Sequence, residues 1–114
     1  MSKRYLSNSS LTSLCKKGDK EEIEEYLTWY EELRENLSDD LDMLNEVIVL
    51  VYTEESRKLA KYLDNDKINN STLYKIGSQL KIEKDCVEQL IIRRDTESRL
   101  SWYDKVIEDL EDAL

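Results

Sequence analysis

The sequence predicts an all-α protein, a small bundle of about five helices. Three observations carry this. There is no proline and there are two glycines, Gly18 and Gly77, so the turn residues that sandwiches and barrels need are missing. The apolar residues recur at three- and four-residue spacing, which lines them along one side of a helix. Of the 114 residues 38% are charged and 39% hydrophobic, a balance that suits amphipathic helices contributing one stripe each to a shared core. So high a charge content also suits disorder, but scattered apolar residues would then be expected, and these are periodic.

The length fits one domain, expected over residues 9–114, behind a flexible, weakly basic arm over 1–8 that carries Lys3 and Arg4. Ser9 or Ser10 caps a short first helix that runs to Lys17 and is ended by Gly18. Asp19 caps a second helix, about 19–36. Glu21, Glu22, Glu24 and Glu25 crowd its first turns, where the helix dipole favours them, and Ile23, Tyr26, Leu27, Tyr30 and Leu33 form its stripe. Trp29 lies to one side of that stripe. Ser38 opens a third helix, about 38–64, with Leu41, Leu44, Ile48, Val51 and Tyr52 inward. The run Val47–Tyr52 is apolar all round and rich in β-branched residues. A short strand is the rival reading; the flanking Leu41, Leu44, Leu59, Ala60 and Leu63 favour a central helix covered on all sides. Asp64 to Asn70 is a polar loop, without the glycine and closing glutamate of a calcium loop. The last segment, about 101–112, opens on Ser101 and Asp104 and carries Trp102, Val106, Ile107 and Leu110. Thr96 to Ser101 is polar enough for a bend before it.

Between the loop and the last segment, residues 71–94 divide into two helices around a tight turn. Ile76 and Leu80 share one face, Ile82 plugs the corner, and Val87, Leu90 and Ile91 form the inner face of the second helix. Gly77 lets the two helices approach closely. Ser71 is the expected cap of the first, and Lys84 or Asp85 stands near the start of the second. This pattern resembles the helix-turn-helix family over about a fifth of the chain. It departs from the family at Lys81, where glycine is usual; a left-handed backbone there costs a non-glycine residue about 1 kcal/mol. The resemblance implies that the exposed start of the second helix touches base edges. Here that start is Glu83, Lys84, Asp85, Glu88 and Gln89, of which Gln89 suits adenine and Lys84 suits guanine or phosphate, while three are acidic.

Beyond it, Arg93, Arg94, Arg99, Trp102 and Tyr103 combine phosphate-binding guanidiniums with rings that stack on bases. On a continuous helix Arg99 would share a face with Trp102 and Tyr103. The alternative is that Trp102 fills the core while the arginines pair with Glu97 and Asp95. The candidate nucleic-acid residues are thus Lys84, Gln89, Arg93, Arg94, Arg99, Trp102 and Tyr103.

The formal net charge of −9 makes nucleic-acid affinity local, weak and salt-sensitive. With no histidine and no glycine-rich phosphate loop, catalysis is not expected, and neither a cofactor nor a metal site is. Cys15 and Cys86 have no metal-ligand spacing and are expected reduced. No signal segment or membrane span is legible, and a cytoplasmic location is expected. Three functions follow. The first is a small DNA-associated module, a viral or plasmid transcription regulator or an accessory domain of a replication protein such as a primase. The second is an acidic protein-interaction module, an inhibitor or DNA mimic docking a basic partner through residues 19–64. The third is a structural or dimerisation bundle.

Overall fold

The computed structural model describes residues 4–114. They form five α-helices and no strand: α1 Asn8–Lys17, α2 Lys20–Val51, α3 Thr53–Leu63, α4 Asn70–Gln79 and α5 Lys84–Ala113. The fold is all-α, as the glycine and proline content required. Among the described residues no helix is long and apolar enough to cross a membrane.

The chain divides into two compact units, residues up to Ser38 with Arg99–Leu114, and Asp39–Ser98. Both α2 and α5 therefore contribute to each unit.

The first unit is built around aromatic rings. Ser7, not Ser9 or Ser10, caps α1, its side chain accepting from the Ser10 N–H. Lys3 lies outside the described residues. Within the expected arm, Leu6 is buried and its N–H donates to the Tyr30 hydroxyl at 2.7 Å, and Asn8 already belongs to α1. Gly18 ends α1 in an extended conformation, not a left-handed one. It is needed for space: a Cβ there would meet the Leu14 carbonyl oxygen at 2.6 Å. Asp19 then caps α2 as expected, accepting from the Glu22 N–H at 2.8 Å. Ile23 and Tyr30 of the expected stripe are buried with Leu11, Leu14, Tyr103, Val106 and Leu110. The Tyr30 and Tyr103 rings meet edge to face, centroids 5.5 Å apart. Arg34 pairs with Asp104 on the surface. An exposed pair of that kind contributes under about 1 kcal/mol, against about 1.5–3 kcal/mol for one buried large apolar side chain, so the rings and leucines hold this unit together.

The second unit has an aliphatic core: Ile48, Leu59, Leu63, Leu73, Ile82, Cys86, Val87, Leu90 and Ile91. Three expectations fail around it. Ser38 opens no helix, because serine without a neighbouring glycine or proline is tolerated mid-helix, and α2 continues to Val51. The interruption falls instead at Tyr52 (φ −125°, ψ 27°), after the β-branched run. There the Thr53 hydroxyl donates to the Val49 carbonyl, the acceptor that a continuing helix would offer to the Thr53 N–H. Second, Asn69 rather than Ser71 caps α4, accepting from the Thr72 N–H at 2.8 Å. Third, no new helix opens at Ser101: residues 96–101 lie inside the continuous α5, since nothing in that stretch breaks a helix and polarity alone does not.

The corner between α4 and α5 is present. Lys81 sits at φ 59°, the left-handed position anticipated for it. The Ile82 N–H donates to the Gly77 carbonyl at 2.9 Å and the Lys81 N–H to Ser78 at 3.1 Å, the paired bonds of a Schellman cap. Ile82 is buried beyond the cap, and a Cβ on Gly77 would stand 2.5 Å from Val87 Cγ2, so that close approach needs glycine.

Candidate functional site

All seven residues of the expected nucleic-acid surface lie on α5, but in two units: Lys84, Gln89, Arg93 and Arg94 in the second, Arg99, Trp102 and Tyr103 in the first. Lys84 is exposed, its Nζ 6.0 Å from the Tyr74 ring centroid. Gln89 is half-buried. Arg93 approaches Glu97 at 3.6 Å, the pairing weighed for it in the sequence. Arg94 donates through Nη2 to the Asn70 side chain at 2.8 Å, while its buried Nη1 has no hydrogen-bond partner. Arg99 is exposed. Trp102 is half-buried, with Lys105 Nζ 5.7 Å from its ring centroid.

Tyr103 has to be corrected. It is 5% exposed and packed on Tyr30, so its ring is not presented for stacking. Burial pushes its hydroxyl pKa upward, Tyr5 adds to this, and Arg99 opposes it. The start of α5 is otherwise as the sequence suggested. Glu83, Asp85 and Glu88 are exposed beside Lys84, and their charge would repel phosphate.

The acidic surface expected over residues 19–64 is concentrated on α2. Of the chain's 26 acidic and 17 basic residues, α2 holds eleven and two, which leaves fifteen of each elsewhere. The entire formal excess of negative charge thus belongs to one helix. Ten of the eleven carboxylates are exposed, Glu22 being half-buried. Among the described residues, Glu24 is the one of the eleven with a basic partner, Lys20 at 3.9 Å. Glu21 and Glu25, Glu31 and Glu35, Glu35 and Asp39, and Asp42 and Glu46 repeat at four-residue spacing, where like charges oppose the helix by a few tenths of a kcal/mol each.

A surprise accompanies it. Helix α2 is not covered around residues 47–51: of that run only Ile48 is buried, while Met43, Val47, Val49, Leu50 and Val51 are exposed, Leu50 at 83%. Val51, expected inward, is among them. A single helix side turned to the core can hide only part of a helix that is apolar all round, and this unit has no element left to cover the rest. The count of consecutive apolar residues could have signalled this. Comparison with known protein families, with curated proteins and with solved structures finds no match for this chain.

Proposed function

We propose that this protein is an acidic interaction module that docks a basic protein partner along α2. The observation that carries the reading is the concentration of the whole charge excess on that helix, with the remainder of the chain balanced. A charge coat serving solubility alone has no need to gather on one element or to set carboxylates against each other at helical spacing. Such unrelieved repulsion is the kind of local conflict that a binding surface retains, because a cationic partner relieves it. Free Cys15 and Cys86 suit a reducing, cytoplasmic setting.

The test is a titration of ¹⁵N-labelled protein with an oligolysine peptide at low salt. Amide shifts are expected along residues 20–51 and are expected to fade with salt. The fifteen acidic residues elsewhere act as the internal control. Shifts spread evenly over all acidic residues would contradict the reading.

A nucleic-acid role is the second reading. It is favoured by the α4–α5 corner at Lys81 and by the exposed Arg99, and opposed by the exposed acids around Lys84. Short duplex and single-stranded DNA in the same experiment decide it. Shifts gathered over residues 84–102 would select a DNA-associated regulator or replication accessory; silence there would remove it.

A further inference from the structure

Within the second unit, the C-terminal part of α2 carries an apolar stripe with an acidic border. Met43, Val47, Leu50 and Val51 follow at intervals of four, three and one, so at 100° per residue they occupy one side of the helix over two turns. All four are exposed. By the same phase, Asp39 and Asp40 close the N-terminal end of the stripe, and Asp42 and Glu46 run along one edge. A recess of about 560 Å³ lined by Asp42, Asn45, Glu46, Val49 and Leu50 puts apolar and carboxylate groups in one depression. From Asp39 to Ser56 there are six acidic residues and no basic one.

We infer that this stripe receives an amphipathic helix of a partner protein, one whose apolar side is flanked by lysine or arginine. The inference rests on the basic-partner reading above and specifies its site. Charge selects against the other occupants. A second copy would set the same six carboxylates against themselves and bring together two molecules of net charge −9. An anionic lipid surface is repelled in the same way. The helical form follows from backbone hydrogen bonding. The peptide N–H groups of α2 within the stripe are donors inside its own helix and offer nothing for a strand to pair with, so an extended segment laid on it would bury unpaired N–H and C=O groups. A helix satisfies its own and presents a matching ridge of side chains.

The experiment uses the full chain and two synthetic peptides of identical leucine and lysine composition. One places its leucines at helical three-four spacing; the other is scrambled. Expected are tighter binding of the amphipathic peptide, amide shifts gathered at residues 39–51, and a loss of about tenfold or more in the double variant Met43→Ser with Leu50→Ser. Both positions are exposed, so that variant keeps its helical signal and melting curve. Equal binding of the two peptides, unchanged by the double variant, would overturn the stripe and leave the acidic-surface reading standing. No binding of either peptide at low salt would overturn both. A dimer of the wild-type protein in sedimentation that disperses in the double variant would assign the stripe to self-association and overturn the inference as well.

Discussion

The two units solve the same packing problem with opposite leftovers. The first buries two tyrosines and gives the Tyr30 hydroxyl a partner in the Leu6 N–H; its exposed large apolar residues are Tyr5 and the terminal Leu114. The second buries only aliphatic side chains and a thiol, and leaves Met43, Val47, Val49, Leu50, Val51, Leu80 and Ile92 in solvent. Both draw on α2 and each includes some of its exposed carboxylates, so acidity does not separate them. The difference is that, among the described residues, the exposed apolar side chains of the second unit gather on one stretch of α2, whereas the first unit has two isolated ones. Scattered exposed apolar residues are ordinary; Met43, Val47, Leu50 and Val51 on one side of two helical turns are the basis of the proposed docking stripe.

The largest expected effect contrasts a core leucine of the second unit with its exposed neighbour. Leu90→Ala should cost about 2–5 kcal/mol in urea unfolding, and Leu50→Ser less than about 0.5 kcal/mol. A large loss at Leu50 would mean that the stripe is internal, and the contrast between the units would fail.

Next in size is a pH effect centred on the Cys86 thiol of the second unit. Burial pushes the Cys86 thiol from its ordinary 9.0 to about 11, with Glu55 and Glu83 adding to it. The folded state therefore favours the protonated thiol. The stabilisation is complete below pH 9 and is lost as pH rises through about 11, by up to about 3 kcal/mol. Cys86→Ala should flatten the stability profile in that window. Tyr30 and Tyr103, whose hydroxyls burial also shifts upward, should leave a residual decline from the first unit at higher pH.

Tyr30→Phe probes the first unit. It strands the buried Leu6 N–H and should cost about 1–3 kcal/mol, with faster amide exchange at Leu6. An unchanged stability would mean that residues 4–7 are not held by this bond. The smallest effect is a gain. Lys81→Gly relieves the left-handed backbone at φ 59° and should stabilise the protein by up to about 1 kcal/mol in thermal unfolding, provided that the freedom glycine adds to the unfolded chain does not cancel it.

How much of this was readable in advance follows from where each signal resides. The Asp19 cap, the close approach at Gly77 and the left-handed Lys81 were legible because each depends on a few adjacent residues. The break expected at Ser38 and a helix end before Ser101 were not there. Polar residues permit a helix end without enforcing one, and neither place has a glycine or proline. The interruption at Tyr52 is accompanied by a bond from the Thr53 hydroxyl to the preceding turn, which spacing does not reveal. Burial was harder still. Nothing local distinguishes Tyr103, packed on Tyr30, from the half-buried Trp102 beside it, or the buried Ile48 from the exposed Val49. The concentration of charge on α2 was countable from the start, but only once its true length was known did it equal the excess of the whole chain.

The most direct measurement of the central claim is the affinity of the amphipathic leucine-lysine peptide at low and at high salt, for the wild-type protein and for Met43→Ser with Leu50→Ser. Salt screens the carboxylates and leaves apolar burial intact. The wild-type protein should retain a residual affinity at high salt that the double variant lacks. Parallel loss of binding in both proteins would show that α2 offers charge alone, and the apolar stripe would have no part in recognition.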